Sequence, residues 1–360
     1  MNDVVILGAG KIGRTVAQML ARTGDYRLRI GDTNEKSLLE TAEGLPNTTT
    51  LRTDFASDTD IDRILTGAKA VVSCAPFFCN VKIAGRARTK KVHYFDLTED
   101  VAVTKSVMQL AEGADCALMP QCGLAPGFIT IAAMYLMAGL TDVRELKLRV
   151  GALPKRPSSI VHYNLTWSTN GLINEYCNPC EALHDGQPIS YAPLEGLEQL
   201  TVEGVRYEAF NTSGGLGTLT QSLRGKVQEL TYKTVRFPGH QYLLRFLFHD
   251  LRFQYHRDEL QKILERALPY TLDDQVVIYA CAVGNENGRL TERTYAQTIP
   301  DQEICGQRFG AIQITTAAGV CAVLDLMMQG KLPTRGFVRQ EQVVPAEFFA
   351  NRFGAYYRSR

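Results

Sequence analysis

The chain has 360 residues, of which 45% are apolar and 21% charged, and a formal net charge of +1 at pH 7. That length supports a sizeable core and reads as two domains, while the balanced charge gives no footing for nucleic acid or an anionic membrane surface. No apolar run reads as a bilayer span, and the first strand opens within three residues of Met1, which leaves no room for a leader and predicts a cytoplasmic protein.

Val4-Val5-Ile6-Leu7 is a continuous apolar run, the pattern of a central parallel strand covered on both faces. A glycine-rich turn follows. Val16, Met19 and Leu20 then recur at helical spacing until Thr23-Gly24, where glycine can close the helix. Further strands are predicted at 26–30, 49–52, 70–74, 92–97 and 116–119, separated by helices at 35–42, 60–65, 81–89 and 105–112. This alternation predicts an α/β fold built on a Rossmann-type doubly wound parallel sheet, whose ligands sit beyond the carboxyl ends of the strands.

The pattern then changes. A long helix at 129–140, strands at 145–151, 161–167, 201–207 and 229–235, and helices at 240–251 and 259–266 predict an inserted mixed α/β domain. Strands at 275–283 and 289–297 flank Asn285-Glu286-Asn287-Gly288, a hairpin signal. Gly214-Gly215-Leu216-Gly217 reads as a loop, because no apolar strand precedes it. An apolar helix at 311–329 is expected to pack back onto the first domain. The division expected is therefore 1–125 with 308–360, and 126–307 between them.

Gly8-Ala9-Gly10-Lys11-Ile12-Gly13 lies between the first strand and its helix, and Asp32 closes the second strand 19 residues beyond Gly13. Gly8 permits the tight turn, Gly10 lets the backbone approach a pyrophosphate, and Gly13 allows the helix to pack closely on the strand. The helix N-terminus supplies unpaired N–H groups for phosphate charge. Asp32 would accept from both adenosine ribose hydroxyls and repel a 2′-phosphate. Thr33 and Asn34 offer no arginine to hold one, so NAD is expected over NADP. Ser73, Ala75 and Pro76, after the fourth strand, complete the expected cofactor set. Asp54, after the third, is placed either near adenine or as a helix cap.

Nine cysteines scattered from Cys74 to Cys321 form no disulfide framework. Cys177-Asn-Pro-Cys180 has metal-ligand spacing, but no second pair or nearby histidine completes a tetrahedral site, so no metal is expected.

The loops after the later strands carry a resemblance. Ser73-Cys74-Ala75-Pro76, Phe95-Asp96-Leu97 and above all Gln121-Cys122-Gly123-Leu124-Ala125-Pro126-Gly127 resemble the saccharopine dehydrogenase family. Thr166-Trp167-Ser168, Gly171-Leu172-Ile173-Asn174-Glu175-Tyr176 and Val235-Arg236-Phe237-Pro238-Gly239-His240 extend that resemblance over nearly the whole chain. Within the family the sequence looks most like L-lysine 6-dehydrogenases. It looks less like the longer glutamate-forming saccharopine reductases or carboxynorspermidine synthases. The resemblance implies an inserted domain used for substrate and dimer contacts, a homodimer or higher homo-oligomer, and NAD-linked oxidation at a carbon bearing nitrogen. In L-lysine 6-dehydrogenases hydride leaves C6 of lysine, and the imine hydrolyses to ammonia and a semialdehyde that cyclises to piperideine-6-carboxylate.

Such a reaction needs a neutral amine from a group whose aqueous pKa is about 10, hence a base or a dry pocket. Asp96, at a strand end, is the candidate to hold the ammonium and relay its proton, or else it caps the following turn. Cys122 and Gly123 match family positions that contact substrate. Cys122 would shape the pocket or donate weakly rather than act as a nucleophile, unless it merely packs in the core. Trp167 beside Ser168 reads as a pocket wall or a core residue. Asn211 and Thr212 match a family segment that binds substrate polar groups, and turn formation would explain them equally. Arg236 can grip an α-carboxylate with its planar fork, and His240 can act as general acid or base. Each has a structural alternative, Arg236 as a surface ion-pair partner and His240 as a helix-start residue. Glu175 and Tyr176 rank below them for facing the amine. Two other functions compete with amino acid oxidation: reductive condensation of an aldehyde with an amino acid or polyamine, and a non-catalytic NAD-binding protein that kept the fold.

Overall fold

A computed structural model describes residues 1–304 and 306–358 of the chain. It divides into two units, Met1–Phe128 with Thr315–Arg358, and Ile129–Ile314. The last two residues of the expected 308–360 segment lie outside the described residues.

In the first unit strands and helices alternate: β1 (Asn2–Leu7), α1 (Lys11–Ala21), β2 (Tyr26–Asp32), α2 (Glu35–Ala42), β3 (Thr48–Arg52), α3 (Asp58–Leu65), β4 (Ala70–Ser73), α4 (Asn80–Lys90), β5 (His93–Asp96), α5 (Val101–Leu110) and β6 (Ala117–Met119). The sheet is parallel throughout, in the order β6-β5-β4-β1-β2-β3, and a short strand Gly336–Phe337 extends it beyond β6. β1 is central because Val4, Val5, Ile6 and Leu7 have no exposed surface, as a strand covered on both faces requires. The helix starts are written locally. Asn34, Ser57 and Asp100 accept from the backbone N–H groups of Ser37, Asp60 and Val103 at the head of α2, α3 and α5. Ile61, Ile64, Ile83, Tyr94 and Val107 join the strand residues Val5, Val71 and Leu118 in one buried core.

Strand order reverses between β1 and β4, so the carboxyl ends of both flank the switch point where doubly wound sheets bind ligands. Register sets which residues stand along that edge. Asp32 pairs with Arg52, Leu7 with Gly31 and with Ser73, Ser73 with Asp96, and Phe95 with Met119.

The second unit holds a mixed sheet: β7 (Thr141–Pro154), β8 (Cys180–His184), β9 (Gln187–Tyr191), β10 (Glu198–Val202), β11 (Val205–Asn211), β12 (Val227–Arg236), β13 (Asp274–Glu286) and β14 (Arg289–Pro300). Its order is β10-β11-β12-β7-β13-β14, with the β8–β9 hairpin branching from β12. β7 and β12 run parallel and the other pairs antiparallel.

Three sequence expectations for this unit need correction. Residues 161–167 form no strand, and their only ladder contact is an isolated bridge from Leu165 to Tyr270. Tyr163 and Leu165 enter a core with Tyr176, Phe210 and Phe248, and Asn164 and Thr166 between them are buried as well, so the segment is covered on all sides without a partner strand. Residues 201–207 are not one strand but the turn of a hairpin, since Glu203 and Gly204 both take positive φ (49° and 81°) and fold β10 onto β11. The β8–β9 hairpin went unpredicted although Asp185-Gly186 is a strong turn signal, and both residues have positive φ (50° and 71°). The expected hairpin at Asn287-Gly288 is present, joining β13 to β14.

The chain returns to the first unit within the helix Ala311–Met328. That helix is long and apolar enough to span a membrane by composition, contrary to the expectation that no run qualifies, and most of it is buried inside the protein. No other helix among the described residues is.

Candidate active site

The turn after β1 has the shape a dinucleotide needs. Gly8 takes φ +107°, and a Cβ there would stand 2.6 Å from the Cys74 carbonyl oxygen. A Cβ on Gly13 would lie 1.8 Å from the Gly8 oxygen, so only glycine lets α1 close on the turn. Gly10 differs: no heavy atom lies within 4 Å of its Cβ position, which leaves open space at the head of α1. No side chain caps that helix and no acid occupies its first turn, so its N–H groups and positive dipole end suit a phosphate. Lys11 and Ile12 open α1, the first exposed and the second half-buried.

Asp32 Oδ2 accepts from the Ala9 N–H at 2.7 Å and Oδ1 from the Asn34 N–H at 2.9 Å, which ties the end of β2 to the glycine turn. A carboxylate has about four acceptor positions, so two remain for ribose hydroxyls. Thr33 is exposed in the same turn. Asp54 is exposed, and its Oδ1 accepts from the Ala56 N–H, so it closes its own turn. Ser73 is buried and donates to Asn80 Oδ1 at 2.7 Å; Ala75 is half-buried and Pro76 exposed in the following loop. These residues fit a nicotinamide dinucleotide, with the glycine turn holding its phosphates and Asp32 its ribose.

Asp96 stands beside Ser73 with no exposed surface. Its carboxyl accepts from Tyr94 Oη (2.7 Å), the Thr98 N–H (3.0 Å) and the Gln121 N–H (2.9 Å). Burial pushes its pKa up to about 6, against the pull of those three donors. The donors show what it does: they fix Gln121, a buried residue at φ +64°, and so set the start of the 121–127 loop. That loop closes on itself. Gly127 takes φ +133°, its Cβ position lies 2.1 Å from the Gly123 oxygen, and the Phe128 N–H donates to the same oxygen. Gly319 packs against Cys122 and Gly123, its Cβ position 2.6 Å from the Gly123 oxygen. The Cys122 thiol is 2% exposed and donates to the Met119 carbonyl at 3.0 Å, while Gln340 Nε2 donates to its sulfur at 3.2 Å. Burial raises that thiol well above its ordinary pKa, which favours the protonated form, and its contacts tie it to the loop.

In the second unit Arg236 is a surface residue in neither position nor chemistry. It is 2% exposed, its Nε donates to Tyr176 Oη (3.0 Å), and its guanidinium lies 5.1 Å from the Tyr163 ring centre and 5.9 Å from that of Tyr176. Glu175 is close enough to raise its pKa, yet among the described residues no carboxylate lies within ion-pair distance of Arg236. The other fully buried arginine, Arg149, is paired with Glu198. Tyr176 Oη also meets His240 Nε2 at 3.1 Å, and His240 Nδ1 meets the Val161 carbonyl at 2.8 Å. With Nδ1 protonated, the chain of donors runs from Arg236 through Tyr176 to His240 Nε2. Burial and the Arg236 charge lower the imidazole pKa to about 3, which favours the neutral ring with Nε2 as acceptor for Tyr176 Oη. Glu208 holds the turn before it, accepting from the N–H groups of Gly239 and Gln241.

The remaining expected residues divide. Thr212 is buried with a hydroxyl that has no partner, whereas Asn211 spends its amide on the Ala192 carbonyl and lies against Gly196. Trp167 is half-buried against the core of Tyr163 and Leu172, and Ser168 caps the helix Thr169–Cys177 rather than ending a strand. Cys177 and Cys180 are free, and burial raises both thiols, Cys180 to about 12. His184, Asp185 and Glu229 bring metal-ligand atoms together at the β8–β9 turn, where the first two are exposed. Sequence reading missed Arg52 at the sheet edge. Strand register would have brought Arg52 to Asp32.

Residues 4–117 match the family model of the saccharopine dehydrogenase NADP binding domain, and residues 123–355 that of the saccharopine dehydrogenase C-terminal domain. Among solved structures, apo saccharopine dehydrogenase (L-Glu forming) from Saccharomyces cerevisiae is similar with a TM-score of 0.79 at 15% identity, covering 97% of each chain. A probable dehydrogenase from Thermotoga maritima reaches 0.47 at 12% identity, over 98% of this chain and 94% of that one. The first of these relations shows a shared fold. With both family models matched across most of its length, the chain belongs to the saccharopine dehydrogenase family.

Proposed function

We propose that the protein is an NAD-dependent amino acid dehydrogenase that deaminates L-lysine, or a close analogue, at C6. Membership of its family already makes it a nicotinamide-dependent oxidoreductase acting on amino acids. The observation that carries the finer reading is Arg236, a buried cation with no carboxylate within ion-pair distance among the described residues. A fully desolvated guanidinium is costly unless paired, and a bound α-carboxylate would supply the pair. Saccharopine-type condensation products carry several carboxylates and would call for further unpaired cations. Among the described residues Arg236 is the one fully buried arginine free for that task, since Arg149 is engaged by Glu198. When bound, the nicotinamide accepts a hydride from the carbon that carries the nitrogen. The chain's own residues bind the substrate, hold the amine neutral and limit water.

The proposal is tested by mixing the protein with NAD and a panel of amino acids and diamines at alkaline pH and recording NADH. NADH formation with L-lysine is expected; its absence would refute the reading, and saccharopine-dependent NADH would replace it with condensation chemistry. A homodimer and a cytoplasmic location remain parts of the same proposal.

The NAD preference rests on Asp32. Its free acceptor positions suit a ribose diol, and its charge opposes a 2′-phosphate. Arg52 stands opposite it in register and is exposed, so removing the acid would leave a cation at the same place. Asp32→Ala is therefore expected to tighten NADP relative to NAD about tenfold or more, roughly the 1.4 kcal/mol of one lost repulsion. Titration by NADPH and NADH fluorescence checks this, and an unchanged ratio would remove Asp32 from the role.

A further inference from the structure

We propose that Gln340 is a positioning residue that holds residues 120–122 in their reacting geometry, an assignment that rests on the amine-oxidising reading above. The two halves of a doubly wound sheet share a dinucleotide between them. Gly8 and Asp32 claim the β1–β3 half for the adenosine side, which leaves the carboxyl edge of β4, β5 and β6 for the nicotinamide. Residues 120–122 leave that edge directly after β6. Strand pairing brings Gln340 to them. The strand Gly336–Phe337 runs parallel beside β6, with Gly336 opposite Ala117 and Phe337 opposite Leu118, and the Val338 N–H donates to the Leu118 carbonyl. The chain then turns: the N–H groups of Gln342 and Val343 donate to the carbonyls of Arg339 and Gln340, and the Arg339 N–H donates to Gln342 Oε1. Gln340 is thereby set at the same edge, 4% exposed.

Its amide nitrogen donates twice, to the Pro120 carbonyl and to Cys122 Sγ, each at 3.2 Å. The reverse orientation would set the amide oxygen against the Pro120 carbonyl oxygen, so the nitrogen is fixed there. Cys122 closes the circuit, its thiol donating to the Met119 carbonyl and its N–H to the Asp96 carbonyl. The Gln340 amide oxygen is buried and has no partner among the described residues. An unpaired buried acceptor costs about as much as two donated bonds return, so stability gives no reason for an amide where a hydrocarbon of the same shape would pack. What the amide adds is direction. It fixes the Pro120 carbonyl and Cys122 on either side of Gln121, the buried residue held at φ +64°. The far end of the loop is held by the same C-terminal segment through packing, with Phe128 stacked on Tyr357 at 3.7 Å between ring centres.

The test is Gln340→Met, which keeps the length and volume of the side chain while removing both donated bonds and the unpaired oxygen. Its urea midpoint and its NADH affinity should match wild type. The kcat of lysine-dependent NADH formation should fall about 10- to 100-fold, as small misplacements beside reacting atoms do. Amide hydrogen exchange at Gln121 and Cys122 should quicken, a readout that needs no substrate. Gln340→Asn keeps the amide one carbon short, and its kcat should lie between the two. A Gln340→Met protein with the wild-type kcat would overturn the assignment and leave the lysine reading intact. So would a loss of activity that only tracks a lower urea midpoint, the mark of a merely structural side chain. Should Gln340→Met not fold, Gln340→Asn decides alone, and the wild-type kcat there would overturn the assignment. A wild-type protein inactive on every amine would overturn the lysine reading; unchanged exchange at Gln121 and Cys122 would then overturn the positioning role separately.

Discussion

Arg236→Met should raise the KM for L-lysine about 100-fold and erase the preference for lysine over the diamine that lacks its α-carboxylate. The magnitude follows from a charge-assisted, two-pronged hydrogen bond made in a dry site, which is worth roughly 1.5–3 kcal/mol. Methionine keeps much of the volume between Tyr163 and Tyr176, so the core should tolerate the change. The change also removes the donors to Tyr176 Oη and the Val235 carbonyl and a cation near the buried Glu175, so stability should fall by about 1–3 kcal/mol. Arg236→Lys separates charge from geometry. It keeps the charge but cannot place Nε against Tyr176, so its loss should lie between wild type and Met. Steady-state kinetics with lysine and with 1,5-diaminopentane measures both effects. Equal KM values for lysine in wild type and Arg236→Met would show that Arg236 serves only the core.

Asp96→Ala should destabilise the first unit by about 3–5 kcal/mol, the largest stability effect expected of any single change here. Three buried donors lose their acceptor at once: Tyr94 Oη, the Thr98 N–H and the Gln121 N–H. Gln121 is also released from a left-handed conformation that it adopts only under that restraint. Asp96→Asn keeps a carbonyl oxygen for the two backbone donors and should cost far less. The pH dependence separates the two further. Because the folded pKa is raised to about 6 from 3.8, the native state holds more protons than the unfolded state between those values. The Asp96 contribution is thus greatest below about pH 4 and declines as pH rises towards 6; Asp96→Asn should flatten that decline. Urea unfolding across this range measures it. An Asp96→Ala protein as stable as wild type would contradict the loop-holding role.

The nucleotide-binding half was legible because its signals are local. A continuous apolar run such as Val4-Val5-Ile6-Leu7 reads readily as a covered strand, and the glycine turn has few alternatives because a Cβ on Gly13 would stand 1.8 Å from the Gly8 oxygen. The site chemistry was harder, for two reasons. Register is not written in any one segment, so Arg52 could be set beside Asp32 only after β2 and β3 were paired. Burial decides the role of an ionisable group, and nothing in the sequence around Asp96 shows that its carboxyl is sealed by three donors. His240 makes the same point. Its position in the 235–240 motif suggested a proton shuttle, yet enclosure beside Arg236 favours the neutral ring. In the second unit the apolar and β-branched residues of 161–167 imitated a strand, because side-chain type reflects burial, here of all of 163–166, and not what the backbone bonds to.

The most direct test of C6 oxidation is a label. L-lysine carrying deuterium at C6 is incubated with NAD and the protein, and the product NADH is examined for deuterium beside a sample labelled at C2. Deuterium in the cofactor from C6 alone, a slower rate for that substrate and one ammonia released per NADH are the predicted results. Deuterium transferred from C2, or no NADH from lysine while saccharopine yields it, would contradict the account.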